Sequence, residues 1–258
     1  MPIQIASPEL NSTPTLPPLE KSGVRTGLRI TTWNCARKSR EKILPAVAAL
    51  DADFAFLQEI ARPATASPNE LWIGTNPKQG VSVISHSGAR IRLAKEYDEK
   101  LRYALPVEVD GDRPLQLLAI WAMKEPEHYV PNLVAILEHY RAFIQRGPTI
   151  VAGDFNANPA FDKVHPRFLF NTITDKFEKL GLLSAYHSKV GEAHGHESKS
   201  TLYHLHKQER PFHIDYLFYP KSWRAALSEV AVGSYEAYKG LSDHRPLSAM
   251  FTHEICAT

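Results

Sequence analysis

Two polar residues, Asp154 and Asn156, follow an apolar segment at 148–153 and are candidates for acid–base chemistry. If a strand continues through Asn156, the carboxylate and the amide share a face, because side chains two residues apart point to the same side. Such a pair could activate a water and donate a hydrogen bond to a phosphate oxygen. Alternatively, the segment is an Asx-type turn whose side chains bond only to local backbone. The pair alone leaves both interpretations open.

Other polar residues stand at or near the ends of apolar segments: Asn34, Glu59, Asp215, Asp243 and His244. Asp215 lies inside the apolar segment 213–219, and a buried acid needs a partner that offsets the cost of its burial. In layered α/β proteins the strand ends form the crevice in which sites are built. We therefore expect these side chains to converge with Asp154 on one pocket.

The apolar patterns predict the elements that position these residues. Strands are predicted at 28–34, 53–59, 80–85, 101–109, 115–123, 148–153 and 213–219, with closing segments at 228–233 and 245–251. Helical spacing predicts helices at 39–50, 129–145 and 174–183, and Pro45 in the first of these requires a first-turn position or a kink. Single helices between strands that sometimes follow each other directly indicate packed sheets flanked by helices.

Composition is that of an ordinary globular protein, with 43% hydrophobic and 22% charged residues in a chain of 258. The net charge of +2 gives no global field toward nucleic acid or membrane, so any preference for phosphate must be local. Residues 1–27, rich in Pro, Ser and Thr and without an apolar run long enough for a signal peptide, are interpreted as a mobile tail before a single domain at 28–258. Cys35 and Cys256 follow no ligand spacing, so we expect no disulfide and a cytoplasmic location.

Five short motifs occur in order along the chain: TWN at 32–34, LQE at 57–59, GDFN at 153–156, HIDY at 213–216 and LSDHRP at 241–246. Together they resemble the endonuclease/exonuclease/phosphatase superfamily, which includes exonuclease III-type repair enzymes. The segments WNC at 33–35 and WIG at 72–74 are similar to its compact bacterial members. The resemblance implies a four-layer α/β sandwich with two central mixed β-sheets flanked by helices, and a metal site at one edge.

Hydrolysis of a phosphate ester requires neutralisation of charge on the phosphate oxygens and an activated water. Glu59 and Asp243, with the amide of Asn34, are suitable oxygen ligands for Mg²⁺ or Mn²⁺. The resemblance makes Glu59 the foremost of these ligands.

The remaining motif residues supply the acid–base groups. The resemblance implies that Asp154 orients and deprotonates the attacking water, and that Asn156 donates to the phosphate or to that water. Asp215 and His244 are expected to pair, so that the carboxylate favours an imidazolium that stabilises charge on the phosphate. Because members of the family differ in their base, Asp154 and His244 are both expected to serve.

Two positions depart from the family pattern. Ala36 replaces an Asn or Asp that many of its nucleases carry two residues after the first-strand Asn, and the segment 121–123 lacks the usual His or Tyr. One phosphate contact is therefore missing. Trp121 could stack on a base or sugar, although a tryptophan here is also typical of a core.

Several basic residues could supply a phosphate-binding rim. Arg37, Lys124 and Arg245 lie next to the motifs, with the alternative that they only keep the surface soluble. The segment 187–213 holds six of the 12 histidines. A zinc site is one interpretation of it; we favour a solvated loop in which His213, on the same side of its strand as Asp215, contributes a phosphate contact.

These features predict a divalent-metal-dependent phosphodiester hydrolase, foremost an intracellular nuclease acting on DNA. Alternatives are a phosphodiesterase or phosphatase for a small phosphorylated molecule or nucleotide, and a non-catalytic nucleic-acid-binding module. The intact polar set argues against the last of these, since such modules are expected to lose catalytic groups. No membrane partner or obligate protein partner is expected.

Overall fold

The computed structural model of the chain describes residues 27–111, 114–125 and 127–252. The tail interpreted at 1–27 therefore lies outside the described residues apart from Gly27, as does Cys256. Strands are β1 Gly27–Asn34, β2 Phe54–Ile60, β3 Glu70–Asn76, β4 Gln79–Ser85, β5 Ile91–Leu93, β6 Ala104–Val109, β7 Leu115–Trp121, β8 Thr149–Asp154, β9 Leu182–Ser184, β10 Leu202–Tyr203, β11 Pro211–Phe212, β12 Asp215–Pro220, β13 Leu227–Val232 and β14 Leu247–Thr252. Helices are α1 Arg40–Ala49, α2 Tyr129–His139, α3 Arg141–Gln145, α4 Asn171–Lys179, α5 Ala185–Val190 and α6 Tyr235–Tyr238.

Two mixed sheets of six strands each form the centre of the molecule. The first has the order β13-β14-β1-β2-β4-β3 and the second the order β5-β6-β7-β8-β12-β9. In each sheet one central pair is parallel, β1 with β2 and β7 with β8, and the other neighbours are antiparallel. The chain thus places the ends of β1 and β2 from one sheet near the ends of β8 and β12 from the other.

Three apolar interfaces separate four layers. Inward-facing residues of both sheets, such as Ile30, Ile150 and Leu217, form the central interface. Trp33 and Leu57 on the opposite face of the first sheet pack under α1. The outer face of the second sheet packs under the helices that contain Leu133, Phe143 and Phe177. The alternation of strand side chains produces both interfaces of each sheet, and the predicted four-layer sandwich with flanking helices is confirmed.

Some predicted boundaries differ from the observed ones. The helix predicted at 129–145 is divided at Tyr140, whose ψ of 13° departs from helical geometry. Pro45 lies in the second turn of α1 rather than the first, where its ring nitrogen cannot donate to the carbonyl of Glu41. The helix predicted at 174–183 begins three residues earlier and ends at Lys179, and Leu182 already belongs to β9. Among the described helices, none has the length and apolar character needed to cross a membrane.

Candidate active site

The site lies where the last residue of β8 is opposite the first residue of β12. These strands are antiparallel, and their register places Asp154 directly opposite Asp215. Both carboxyl groups are buried, with residue exposures of 1% and 0%. Gly153 is required beside them, because a Cβ at this position would lie 1.7 Å from the carbonyl oxygen of Ile120 and its φ is +153°. Close pairing of β7 and β8 thus fixes where Asp154 emerges.

His244 binds to Asp215 through a buried hydrogen bond. The Nδ1–H of His244 donates to Oδ2 of Asp215 over 2.8 Å, and the imidazole is 8% exposed. The loop that carries His244 is attached to β1, since Ser242 Oγ donates to the Asn34 carbonyl and accepts from the His244 N–H. Trp33 Nε1 donates to the His244 carbonyl. The Nε2 atom of His244 is therefore left as the donor for a substrate.

Charge in this buried space separates the pKa values of the two candidate acid–base groups. Burial alone lowers the pKa of His244, but the charge of Asp215 and its hydrogen bond outweigh burial and raise that pKa to about 10. Burial, followed by repulsion from Asp215, raises the pKa of Asp154 to about 7. A base with a pKa near neutrality and an imidazole that is protonated at neutral pH are therefore adjacent.

Asp154 accepts hydrogen bonds from two asparagines. The Nδ2 of Asn34 donates to Oδ2 over 2.8 Å, and the backbone N–H of Asn156 donates to Oδ1 over 2.9 Å. Of the two interpretations left open for this segment, the continued strand does not hold, because β8 ends at Asp154 and Asn156 has a φ of +50°. An Asx-type turn, which asparagine tolerates well, aims its amide back at the same carboxylate over 3.2 Å. The turn at 154–156 is therefore part of the candidate site.

Glu59 reaches the site from a bulge in β2. The pairing with β4 shifts register between Gln58 and Ile60, and Glu59 has a φ of +53°, a strained value for a residue with a side chain. Its carboxylate accepts from the Asn34 amide over 3.2 Å and from Arg37 Nε over 2.8 Å. The bulge directs an acid toward the site that regular pairing would aim elsewhere.

Asn34, a predicted metal ligand, presents its amide nitrogen to the acids of the site. Its Nδ2 faces the carboxylates of Glu59 and Asp154, while its Oδ1 accepts from the N–H of Ala36 over 2.9 Å. The oxygen is therefore engaged by backbone, and Asn34 orients two acids. Asp243 is half-buried, and its carbonyl accepts from the N–H of Tyr203 over 2.8 Å.

The donor chemistry of the site fits a hard divalent cation. Glu59 offers carboxylate oxygens, Asp243 lies close enough for its charge to act on His244, and Oδ1 of Asp215 is buried without a hydrogen-bond partner among the described residues. Oxygen ligands of this kind suit Mg²⁺ or Mn²⁺. The carboxylates of Asp154 and Asp215 also lie within 4.8 Å of the His244 imidazole, so the three groups act as one unit.

An open groove of about 780 Å³ runs beside the site. Its lining includes the predicted residues Arg37, Lys124 and Trp121, and also residues that the sequence did not single out: Lys100, Arg102 and Tyr129. Burial, and then the charges of Asp154 and Glu59, raise the pKa of Tyr129, so its phenol faces the site. Tyr129 lies at the start of α2, eight residues after Trp121, and is a groove residue that sequence reasoning missed.

Two predicted substrate contacts lie elsewhere, and a third only borders the groove. Arg245 is 0% exposed, and its guanidinium stacks 4.9 Å from the ring of Tyr203 and 5.0 Å from that of Tyr235. His213 is 3% exposed and packs away from the groove, because β12 begins only at Asp215 and the alternation of a strand does not extend to it. Trp121 is 7% exposed and packs on Tyr103, as the core alternative predicted, although its edge borders the groove.

A second cavity of about 370 Å³ adjoins the site on the other side of Asn156. Aromatic and apolar side chains line most of it, among them Phe161, Phe212 and Ile214. Since Asn156 and Tyr129 border both spaces, a substrate phosphate held at Asn156 would have a basic groove on one side and an apolar cavity on the other.

Comparisons with known proteins place this site in a family. The chain matches the model of the Endonuclease/Exonuclease/phosphatase family over residues 31–244. No curated protein matches it closely. Among solved structures, it is similar to the 3′ phosphatase NExo from Neisseria bound to product DNA hairpin (TM-score 0.66, 21% identity, 87% of this chain and 99% of that chain).

Two further structures are similar in fold. A 3′-5′ exonuclease (NExo) from Neisseria meningitidis has a TM-score of 0.65 and 20% identity over 87% of this chain and 100% of that chain. An AP endonuclease from Archaeoglobus fulgidus has a TM-score of 0.62 and 18% identity over 87% and 99%. The family match spans every motif residue of the site, and the chain is therefore a phosphate-ester hydrolase that belongs to the Endonuclease/Exonuclease/phosphatase family.

Proposed function

We propose that the protein is a nuclease that cleaves phosphate esters of DNA with Mg²⁺ or Mn²⁺. The observation that carries the proposal is the buried Asp215–His244 pair, which lies against Asp154 at the meeting point of four strands and opens on a basic groove. Each group has a separate task in an in-line displacement at phosphorus.

Asp154 is the proposed general base. Its pKa of about 7 allows it to accept a proton from water near neutral pH, and Asn34 and Asn156 hold its oxygens in place. His244 keeps its proton because of Asp215, so it stabilises negative charge on the phosphate through Nε2 and does not act as the base. Asn156 and Tyr129 are proposed as further donors to the phosphate.

Glu59 and Asp243 are the proposed metal ligands, and Asn34 orients Glu59. When bound, the cation would neutralise charge on the nonbridging oxygens and on the leaving oxygen. Arg37 forms an ion pair with one carboxylate oxygen of Glu59. Its side chain is 67% exposed, so it can move to a substrate phosphate.

DNA is favoured as the substrate by the shape and charge of the groove. Its lining includes Arg37, Lys100, Arg102 and Lys124, which could contact several backbone phosphates. The apolar cavity beside Asn156 could take a terminal or unpaired nucleotide. The similar 3′ phosphatase and 3′-5′ exonuclease make a 3′ end the more specific substrate to test.

The experiment compares four substrates with Mg²⁺, Mn²⁺ or chelator: plasmid, a duplex with a 3′ phosphate, a duplex with an abasic site, and a chromogenic bis-phosphodiester. We expect metal-dependent cleavage of at least one DNA substrate. Turnover of the small ester alone would favour the phosphodiesterase alternative, and DNA binding without any turnover would favour the binding module. Cell fractionation would test the proposed cytoplasmic location.

A further inference from the structure

A second cluster of ligand-type side chains lies behind the strand that carries Asp215. Atoms of His187, His194 and Glu197 that could bind a metal lie within 4.8 Å of one another. His187 belongs to α5, and the other two follow in the loop after it. The side chains of His187 and Glu197 are 10% and 4% exposed, so the cluster is not a solvated loop surface. The expectation of a solvated loop across 187–213 is therefore wrong for this part of it.

Two buried imidazole nitrogens, one in this cluster and one on a histidine next to it, have no hydrogen-bond partner among the described residues. Within the described part of the chain, Nδ1 of His194 and Nε2 of His213 have no hydrogen-bond partner. The other nitrogen of His213, Nδ1, lies 2.7 Å from the carbonyl of Lys199 and must donate to it, which leaves Nε2 as an unprotonated lone pair. The ring of His213 lies 5.8 Å from that of His187. A nitrogen fixed in this way is a typical metal ligand.

Neighbouring groups hold the ligands in orientation. Ser184 Oγ lies 2.7 Å from Nδ1 of His187, so Nε2 of that ring faces Glu197 over 3.1 Å. Glu197 also accepts from the backbone N–H of Gly195 over 2.9 Å and from the Asn158 amide. Contacts of this kind fix the tautomer and the carboxylate of metal sites.

The two rings of the cluster lie in direct contact. Those of His187 and His194 stack with centroids 3.5 Å apart, so one ring must rotate for both to bind the same ion through their in-plane nitrogens.

We propose that His187, His194 and Glu197, with His213 as fourth donor, bind a zinc ion that is separate from the metal of the candidate active site. Three imidazoles and one carboxylate form a mixed nitrogen and oxygen set with four donors, which suits Zn²⁺, whereas Mg²⁺ prefers oxygen ligands only. A bound ion would replace the proton between His187 and Glu197 and satisfy both unpartnered nitrogens.

The position of the cluster indicates what the zinc does. The loop that it anchors continues into Thr201, whose hydroxyl accepts from the backbone N–H groups of Ile214 and Asp215 over 3.0 Å each. Leu202 forms a β-bridge with His244. The ion therefore stabilises the segment that supports the Asp215–His244 pair, and its role is structural.

Metal content is the direct test, and it requires no activity. The full chain is purified without chelator, dialysed against buffer containing Mg²⁺, and analysed for bound elements. We expect one zinc ion per chain in the wild type and in Glu59→Gln, and background levels in His194→Ala and Glu197→Gln. The matched control is His196→Ala, because His196 is exposed in the same loop and should leave the zinc content unchanged.

A second measurement covers the case in which the cluster variants do not fold. Metal-free wild type is titrated with Co²⁺, whose visible absorption reports a tetrahedral nitrogen and oxygen site, and the melting temperature is followed on addition of Zn²⁺. We expect Co²⁺ absorption that Zn²⁺ abolishes and Mg²⁺ does not, and a rise in the melting temperature with Zn²⁺. Wild type without bound zinc that shows neither response would overturn the proposal, as would zinc that is lost in Glu59→Gln or His196→Ala. Neither result bears on the proposed nuclease activity.

Discussion

Removal of the Asp215 charge tests how the fold keeps His244 protonated. Asp215→Asn preserves the shape of the side chain and a hydrogen-bonding oxygen but leaves the imidazole without its counter-charge. The pKa of His244 should then fall below its ordinary value of 6.5, because burial, the largest influence on it, is no longer outweighed by Asp215. Asp154 and Asp243 offset only part of that effect.

The magnitude follows from the same pair. A pKa moved from 6.5 to about 10 corresponds to on the order of 5 kcal/mol in favour of the charged imidazole. Loss of one partner of a buried ion pair costs about 3–5 kcal/mol in other proteins. Since both groups are buried, we expect Asp215→Asn to lower the free energy of unfolding by about 3–5 kcal/mol at neutral pH.

The pH dependence has a definite sign. His244 takes up a proton on folding at pH values between 6.5 and about 10, so its contribution to stability is fully present below pH 6.5 and is lost as pH rises through about 10. Urea unfolding at several pH values should therefore show that the difference between wild type and variant shrinks on the alkaline side.

Nitrogen NMR of the imidazole, in buffer without Mg²⁺, provides the decisive readout. Wild type should show an imidazolium at neutral pH and Asp215→Asn a neutral ring. Asp175→Asn, an exposed acid on α4, is the matched control and should change stability by less than about 0.5 kcal/mol. A neutral His244 in the wild type at neutral pH would refute the reasoning, whether or not the variant folds.

Three further predictions concern the site and its groove. Gly153→Ala should lower the free energy of unfolding by about 3–5 kcal/mol in urea denaturation, because the added Cβ meets backbone and not a movable side chain. Tyr129→Phe should reduce kcat on DNA by about ten- to a hundredfold, since a donor to a charged phosphate contributes about 1.5–3 kcal/mol, while the melting temperature stays unchanged. Replacement of both Lys100 and Arg102 by Ala should weaken DNA binding, measured by fluorescence anisotropy. The slope of the logarithm of the binding constant against the logarithm of the salt concentration should fall by the equivalent of up to about two phosphate contacts.

The first and third of these changes have matched control variants. Gly240→Ala meets no atom within 4 Å and should leave stability unchanged. Lys42→Ala removes an exposed charge on α1 and should leave the salt dependence unchanged. Equal effects in test and control variants would contradict the first and third predictions, and full activity of Tyr129→Phe would contradict the second.

Sequence reasoning predicted the convergence of the site because it depended on strand ends. Asn34 and Asp154 are the last residues of their strands and Asp215 is the first of its strand, and such strand ends in two packed sheets meet at one edge. Asp215 was also identifiable as a paired acid, because an unpaired carboxylate in an apolar strand costs too much to retain. These inferences needed only periodicity and burial.

Side-chain direction in loops was the part that could not be predicted. Arg245 follows His244 directly, yet it turns into a sandwich of two tyrosines, and His213 lies outside the strand whose alternation was used to orient it. Lys100 and Arg102 reach the groove from a loop distant in sequence from every motif. Their approach depends on tertiary packing, which local pattern does not encode.

The histidine-rich segment shows the same limit. Its composition allowed a zinc site or a solvated loop, and the structure separates its histidines into a half-buried group and an exposed group. His187 and His194 are gathered with Glu197, whereas His204 and His206 are exposed. Sequence spacing does not distinguish these two groups of histidines. Their burial and their unpartnered nitrogens, which only the structure shows, do.

The central claim is that Asp154 activates water for a metal-dependent attack on a DNA phosphate. Single-turnover cleavage of the DNA substrate found in the panel, by wild type, Asp154→Asn and the control Asp175→Asn, tests it most directly. We predict that wild type and control cleave with Mg²⁺ and stop with chelator, and that Asp154→Asn is slower by about 100- to 10,000-fold while remaining folded. A wild-type rate in Asp154→Asn, or cleavage that persists in chelator, would contradict the account.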